Sequence, residues 1–339
     1  MKTVILAAGF GSRLWPLSTS ETPKQFLHLV HNESLISYTY RQLLKVMPQK
    51  DIYFLILEGM QPLVKQEIPE VDEANYVVVP ERRNTLPHTL WALRSIAEYD
   101  DEPIMFKSVD HVIVNEAAFV ASLRNCVNDY SQQRVTILGS VVKTFNSNDG
   151  YCVVDAGQNV KAFLEKPSKA VFDRAAQHGL VYRSPFIFIS SVRAMAELVQ
   201  ESLATWKDDA LALLKSDKTS KQRLFLNLPF IDISTALFAH AHNLGFKEIA
   251  YEFIDVGRFE EIYSLNAKDK TGNVHIGEHI LLEGECRNNL IVNETNRPLV
   301  VISRSDSVIV QTDNGSLVAS FTEARKVGDV YKQRIHSTH

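Results

Sequence analysis

Two cations follow a glycine turn near the start of the chain. An apolar stretch runs into a turn of small residues, which are Ala7, Ala8, Gly9, Gly11 and Ser12. Arg13 and Lys24 come next. Glycine accepts positive φ and leaves backbone N–H groups open to a close ligand, while Arg and Lys neutralise phosphate oxygens. The pattern predicts a phosphate-binding loop, although it lacks the Gly-Lys-Ser/Thr ending of a Walker loop and the third glycine of a dinucleotide fingerprint.

Two aspartates follow short apolar stretches further along the chain. Asp110 comes after IMFKSV, and Asp255 comes after EFI. Carboxylate oxygens together with substrate phosphates are the ligands that Mg²⁺ prefers, so both are candidate metal ligands. Aspartate also caps helices and turns, and the sequence leaves that alternative open.

Strand and helix patterns alternate before residue 142. Strands are predicted at residues 3–7, 52–57, 76–79, 103–108 and 135–141, and helices at 35–46, 62–68, 85–98 and 116–130. This alternation predicts an α/β, Rossmann-like domain with a mostly parallel sheet. Ligands bind such sheets beyond the carboxyl ends of the strands, where the glycine turn and Asp110 would lie.

The pattern changes near residue 268. Short apolar runs separated by Gly, Asn and Asp replace the helical periodicity. We expect two domains, a catalytic domain at residues 1–265 and a small all-β module at 266–339. The module is predicted to be β-helix-like or a curled sheet. Its apolar strands are too few to bury both faces, so it is predicted to pack on the catalytic domain or to mediate a homodimer.

Composition limits the classes of partner. Charged residues make up 22% and the formal net charge is −4, so no global basic field favours nucleic acid or an anionic membrane. No apolar run is long enough for a membrane span, and the first residues lack the layout of a signal peptide. The 3 cysteines have no paired spacing, which favours a reducing, cytoplasmic location.

Several segments, in order along the chain, resemble one enzyme family. LAAGFGSRLWPLSTSETPKQFL, RRNTLP, SVDHVI, FLEKP and FIDVG look like the motifs of sugar-1-phosphate nucleotidyltransferases, and most closely those of mannose-1-phosphate guanylyltransferases. Any one of these segments alone would be a weak indication, but their order over residues 1–265 is specific. The resemblance implies transfer of GMP from GTP to mannose 1-phosphate, giving GDP-mannose and pyrophosphate.

The resemblance also implies roles for the cations and aspartates. Arg13 and the loop N–H groups would hold the triphosphate, and Lys24 would stabilise charge at the α-phosphate. Arg13 and Lys24 are the expected catalytic residues. Asp110 and Asp255 would hold Mg²⁺, while Lys166 would bind the phosphate of the sugar substrate.

The remaining site residues are carried over from the other motifs. Gly150, Glu165 and Asp232 are expected to bind the sugar phosphate. Arg83, Asn84 and Thr85 begin a predicted helix, so they are interpreted equally as nucleotide-binding residues and as an ordinary helix N-cap.

The sequence departs from the family where the sugar would bind. Asn148 and Asp149 precede Gly150 in place of the first half of GYGY, and WNSG is replaced by Tyr182-Arg183-Ser184-Pro185. Arg183 is expected either to meet a substituent on a larger or more acidic sugar or to point into solvent. These departures leave open the same reaction with another sugar 1-phosphate, such as a heptose. Val79, in place of the glutamate that the family has there, leaves open another NTP. A third alternative is a non-catalytic protein that binds nucleotide sugars and regulates other enzymes.

Overall fold

The structure is a computed structural model that describes residues 1–30, 32–128, 130, 134–217 and 219–335. The chain forms two compact units. The first contains Met1–Ala8 and Thr39–Phe253, and the second contains Gly9–Tyr38 and Ile254–His339. The expected division into residues 1–265 and 266–339 stays a prediction.

In the described part of the chain, twelve strands precede residue 256, and ten of them form one mixed sheet. They are β1 Lys2–Leu6, β2 Ile52–Leu57, β3 Tyr76–Val79, β4 Ile104–Ser108, β5 His111–Ile113, β6 Thr136–Val141, β7 Gly150–Val154, β8 Asn159–Glu165, β9 Leu180–Ser184, β10 Ile187–Ser190, β11 Leu244–Ile249 and β12 Phe253–Asp255. The sheet order is β11-β8-β7-β9-β6-β10-β4-β1-β2-β3. Strands β4, β1, β2 and β3 are parallel neighbours, which confirms the α/β class that the alternation predicted.

The described residues also form twelve α-helices. They are α1 Leu35–Leu44, α2 Gln61–Glu67, α3 Thr85–Ile96, α4 Glu116–Asn128, α5 Lys169–Ala175, α6 Val192–Ser202, α7 Lys207–Lys215, α8 Lys221–Asn227, α9 Ile233–Ala236, α10 Phe259–Leu265, α11 Phe321–Ala324 and α12 Val327–Val330. The helices predicted from the sequence match α1 to α4, except that residue 129 of the last prediction lies outside the described residues. No helix in the described ranges is both long enough and apolar enough to cross a membrane.

Buried apolar side chains along the central strands form the core of the first unit. Phe106 of β4 stacks on Phe188 of β10, with ring centroids 4.9 Å apart. Val4 and Ile5 of β1 and Phe54 of β2 are fully buried. Strands that are apolar on both sides suit a sheet covered on both faces. Because these side chains must stay buried, the register of each strand against its neighbours is fixed, and so is the point where the strand ends. The positions of the residues just beyond β1 and β4 follow from this.

The end of the second unit is built from short strands in parallel coils. They are β13 Val274–Gly277, β14 Ile280–Glu283, β15 Leu290–Asn293, β16 Leu299–Ile302, β17 Ser307–Thr312 and β18 Gly315–Ser320. Strands β13, β15 and β17 pair in parallel, as do β14 and β16, while β18 is antiparallel to β17. This arrangement confirms the predicted strand-rich, β-helix-like module.

Buried amides connect successive coils of the module. Asn289 Nδ2 donates to Asn273 Oδ1 at 2.9 Å, and the backbone N–H of Ser307 donates to Asn289 Oδ1 at 3.1 Å. Both asparagine side chains are fully buried. Buried amides of this kind satisfy backbone groups at corners that lie outside the strand ladders.

Candidate active site

A turn follows β1 where the sequence predicted one, and its role in binding phosphate stays a prediction. Ala7 and Ala8 are buried, and the backbone N–H of Ala7 donates to the carbonyl of Leu55 at 2.9 Å. Gly11 has a φ of 78° and begins a 3₁₀ turn at Ser12–Leu14. A side chain at that φ would be strained, so glycine is required there.

Gly11 also leaves room for Lys24. A Cβ on Gly11 would lie 2.6 Å from Lys24 Cδ, 2.7 Å from Cγ and 2.8 Å from Cβ, well inside van der Waals contact. The Lys24 side chain is buried, and its backbone N–H donates to the carbonyl of Phe10 at 3.2 Å. Gly9 differs, because a Cβ there would meet no atom of the described chain within 4 Å. The missing Cβ of Gly11 therefore defines the path of the lysine.

Arg13 lies in the second unit beside two glycines. A Cβ on Gly257 would lie 3.4 Å from Arg13 Nη2 and 3.5 Å from Asp255 Oδ1. A Cβ on Gly328 would lie 3.3 Å from Arg13 Cγ and 3.4 Å from Arg13 Cα. Gly257 and Gly328 thus allow the backbone to approach this arginine closely from two segments near the end of the chain.

The segment that contains Gly328 was missed by the sequence analysis. Tyr331 stacks on Trp15, with ring centroids 6.1 Å apart, and Thr312 Oγ1 donates to the carbonyl of Pro16 at 3.4 Å. These contacts join residues about three hundred positions apart, so no local pattern reveals them. The last helical segment thereby forms part of the surroundings of the Arg13 turn.

The two predicted metal ligands have surroundings that suit carboxylates holding a cation. Asp110 Oδ1, in the first unit, accepts a hydrogen bond from the Ser108 hydroxyl, and His111 Nε2 lies 3.9 Å from it. Asp255 Oδ1, in the second unit, is buried and accepts no hydrogen bond from the described residues. A buried carboxylate oxygen in that state is costly unless a cation or donor reaches it. Asp110 and His111 of the first unit and Asp255 of the second each offer an atom of a type that binds divalent metals, and the role of the two aspartates as ligands stays a prediction.

Lys107 is a buried charge that sequence reasoning overlooked. Its side chain is almost fully buried in β4, and Nζ donates to the carbonyl of Ser108 at 3.0 Å. Burial lowers the pKa of Lys107 to about 8, while the Asp110 carboxylate acts in the opposite direction. The sequence did indicate this residue, because Lys107 interrupts the apolar run IMFKS of a strand that is predicted to be buried.

The RRNT segment is held by contacts within the first unit. Asn84 caps α3 by accepting a hydrogen bond from Thr85 N at 2.8 Å. The Thr85 hydroxyl donates to Asp232 Oδ2 at 2.7 Å, and Asp232 Oδ1 accepts from Ser234 N at 2.9 Å. Asp232 therefore caps α9 and fixes the start of α3. These contacts favour the cap interpretation of Asn84 and Thr85, and the nucleotide and sugar roles stay predictions.

Arg83 is also held by protein groups. Its Nη2 donates to Glu81 Oε2 at 2.9 Å and its Nη1 to the carbonyl of Leu228 at 3.0 Å. Its backbone N–H donates to His88 Nε2 at 3.2 Å. His88 stacks on Phe225, and burial lowers its pKa to about 4. The neutral imidazole thus acts as the acceptor that anchors this turn.

Gly150, Glu165 and Lys166 lie together at the ends of β7 and β8. Gly150 is the register partner of Glu165, and a Cβ on Gly150 would lie 3.3 Å from Glu165 Oε2. Lys166 Nζ pairs closely with Glu165 Oε1, and Lys166 has a φ of 47° in the left-handed region. The structure therefore brings together three of the four residues predicted to bind the sugar phosphate.

Comparison with known proteins identifies the family. The family model described as Nucleotidyl transferase matches residues 2–272. The chain belongs to the nucleotidyl transferase family. Members transfer a nucleotidyl group.

The relatives are similar over nearly the whole chain. The alginate biosynthesis protein AlgA of Pseudomonas aeruginosa is 26% identical over 98% of this chain and 72% of its own length. Mannose-1-phosphate guanylyltransferase 2 of Escherichia coli O157:H7 is 26% identical over 96% of this chain and 71% of its own. The fold is similar to that of mannose-1-phosphate geranyltransferase from Thermus thermophilus, with a TM-score of 0.83, 22% identity and 98% of both chains covered. This likeness confirms the predicted fold.

We expect Gly11→Ala to misplace Lys24 and lower turnover. The new methyl group would force the lysine stem aside, and a shift of about 1 Å in a catalytic group costs about a hundredfold in rate. Pyrophosphate release measures turnover, and thermal unfolding measures stability. Gly9→Ala is the matched control for stability and should unfold at the wild-type temperature. Wild-type turnover in Gly11→Ala would contradict the expected catalytic role of Lys24.

His88 predicts a pH dependence of stability. Its folded pKa of about 4 lies below the ordinary value of 6.5, so the unfolded chain binds the proton more readily. The contribution of His88 to the free energy of unfolding is complete above pH 6.5 and is lost as the pH falls towards 4. The gap corresponds to about 3 kcal/mol of unfolding free energy.

His88→Gln cannot titrate in this range, so its unfolding free energy should fall less than that of the wild type on acidification. Urea unfolding of both proteins at neutral pH and near the folded pKa measures this difference. Equal losses in the two proteins would show that His88 is not the group responsible.

Proposed function

We propose that this enzyme transfers GMP from GTP to mannose 1-phosphate, giving GDP-mannose and pyrophosphate. The observation that carries the proposal is the match, over 96% of the chain, to a relative named mannose-1-phosphate guanylyltransferase 2. That match extends beyond the nucleotidyl transferase region at residues 2–272 into the β-helix-like module. A match of this length is more specific than the nucleotidyl transferase family alone.

The reaction needs positioned cations more than covalent chemistry. An oxygen of the sugar phosphate attacks the α-phosphorus of GTP, its bond to phosphorus forms, and the bond to pyrophosphate breaks. Both substrates are polyanions, so cations must hold them close together against their mutual repulsion. We assign Arg13 and the N–H groups of the Gly9–Gly11 turn to the triphosphate. Lys24, with its stem fixed by Gly11, is assigned to the charge that develops at the α-phosphate.

The sugar phosphate is assigned to the corner at the ends of β7 and β8. Lys166 supplies the positive charge, and Glu165 holds the lysine Nζ through Oε1, while its Oε2 lies 3.3 Å from where a Cβ on Gly150 would stand. Glycine at position 150 avoids a clash, since a Cβ there would lie 2.9 Å from the Phe163 ring. This corner gives one cation, one carboxylate and an open backbone to a sugar that carries hydroxyls and a phosphate.

We propose that the metal is Mg²⁺, with Asp110 and Asp255 as its protein ligands. The buried Asp255 Oδ1, which accepts no hydrogen bond from the described residues, supports this assignment, because Mg²⁺ takes carboxylate oxygens together with substrate phosphates. When bound, the ion would neutralise phosphate charge. The Ser108 hydroxyl orients the Asp110 carboxylate by donating to its Oδ1.

A pyrophosphate-release screen tests the function. The four NTPs are each assayed with the 1-phosphates of mannose, glucose and a heptose, with and without EDTA. GTP with mannose 1-phosphate should be active and should lose activity on chelation. An exclusive preference for UTP or dTTP would contradict guanylyl transfer, and activity that survives EDTA would contradict the metal assignment.

We also propose a homodimer that forms through the β-helix-like module. Leu281 of β14 pairs with Val300 of β16, and both side chains are exposed, as is Ile302 two residues on. Adjacent exposed apolar side chains on neighbouring strands suit a second copy of the same face. Leu281→Lys should halve the mass measured by light scattering if the wild type is a dimer. A monomeric wild type would contradict the proposal.

The expected compartment is the cytoplasm. Cys126, Cys152 and Cys286 are all buried and, within the described residues, form no disulfide, as in proteins from a reducing environment.

A further inference from the structure

Two departures from the resembled motifs meet in the structure. Asp149 stands before Gly150, and Arg183 stands in the segment that replaces WNSG. Arg183 Nε donates to Asp149 Oδ2 at 2.5 Å, so the two unusual residues form an ion pair across 34 positions of sequence. The two departures from the motifs are therefore the two halves of one interaction, which joins the start of β7 to the end of β9.

The ion pair is largely removed from solvent. The Asp149 side chain is 6% exposed and the Arg183 side chain 21%. Arg183 Nη1 also donates to the carbonyl of Phe253 at 2.9 Å, and its guanidinium carbon lies 4.0 Å from the centroid of the Phe253 ring. Arg183 is thus fixed by a carboxylate, a carbonyl and an aromatic face. The sequence left open whether Arg183 would point into solvent or meet a sugar substituent, and in the structure its partner is Asp149.

The backbone of Asp149 holds Lys166. The N–H of Lys166 donates to the carbonyl of Asp149 at 3.1 Å, where Lys166 adopts its left-handed φ of 47°. A non-glycine residue at positive φ persists only where its surroundings hold it there. The same residue therefore receives Arg183 on its side chain and Lys166 on its carbonyl.

Strand pairing also holds these residues next to one another. Gly150 pairs with Ser184 of β9 on one side and with Glu165 of β8 on the other. Arg183 precedes Ser184, Asp149 precedes Gly150, and Lys166 follows Glu165. The start of β7 and the ends of β8 and β9 consequently lie side by side, and the ion pair joins the residues next to them.

We propose that the Arg183–Asp149 ion pair positions Lys166 and so sets the affinity for the sugar 1-phosphate. Both members are positioning residues, because they act on the substrate through Lys166. The inference rests on the proposed role of Lys166 in binding the sugar phosphate. It also means that the charge of Arg183 is neutralised within the protein, so acidic sugars gain no advantage from it.

The test removes Arg183 and compares the two substrates. Arg183→Met keeps an unbranched apolar stem but removes the guanidinium, and so leaves the Asp149 carboxylate buried without its partner. The KM for mannose 1-phosphate should rise by about tenfold, while the KM for GTP should change by less than about twofold. A loss that is merely structural would move both constants, or would lower kcat together with the unfolding temperature.

A matched control exists on the surface of the same unit. Arg193 Nε pairs with Asp101 Oδ1 at 2.6 Å, and these side chains are 53% and 50% exposed. Arg193→Met removes the same chemistry from a solvated pair, and both KM values should stay at the wild-type level. A rise in the sugar KM in this control equal to that in Arg183→Met would overturn the proposal.

Two more variants test the coupling. The double variant Asp149→Asn, Arg183→Met leaves no buried charge unpaired, so it should recover part of the affinity that Arg183→Met loses. Arg183→Lys keeps the charge without the planar fork and should lie between the wild type and Arg183→Met. If Arg183→Met does not fold, Asp149→Asn serves in its place, because it keeps the backbone carbonyl and the size of the side chain.

Lys166→Ala separates this inference from the proposed function. If Lys166→Ala leaves the sugar KM unchanged, the assignment of Lys166 is wrong and the inference falls with it. If Lys166→Ala raises that KM and Arg183→Met does not, the function stands and the ion pair is only structural.

Discussion

The missing Cβ of Gly11 is the constraint on which the proposed nucleotide-binding turn depends. The stem of Lys24 passes 2.6 Å from the position that atom would take, and the backbone at Gly11 has a φ of 78°. Two demands, a left-handed turn and a close approach, fall on one residue. The direction of the lysine is therefore set by backbone geometry before any substrate arrives. Such preorganisation is what a reaction between two polyanions needs, because little of the barrier is lowered by covalent chemistry.

Several polar side chains in the first unit hold the points at which strands and helices begin or end. Asp232 holds Thr85 and the start of α9, His88 holds the N–H of Arg83, and Asp149 receives Arg183. Each of these contacts fixes a turn at which a strand or helix ends. Buried polar groups that are fully satisfied make a turn rigid, and removing one partner leaves the other unpaired. The chain thus gains precision at its turns from side chains that need not touch a substrate.

Local sequence patterns predicted much of the fold and marked where the candidate site residues stand along the chain. Periodicity placed α1 to α4 and the first strands, and the glycines and the cations marked the turn after β1. The patterns missed contacts between distant segments, because spacing reports only on neighbours along the chain. Asp149 with Arg183, Thr85 with Asp232, and Trp15 with Tyr331 are pairs of this kind. Sequence reasoning therefore left two alternatives for Arg183, and neither included the aspartate that binds it.

The surroundings of Arg13 show why the two ends of the second unit must be considered together. Residues Gly9–Tyr38 belong to the same compact unit as Ile254–His339. Gly257 and Gly328 lie against the side chain and backbone of Arg13, and Tyr331 covers Trp15 two residues on. A larger residue at either glycine would push on the arginine from a segment more than two hundred positions away. The last part of the chain is therefore part of the environment that determines where this cation points.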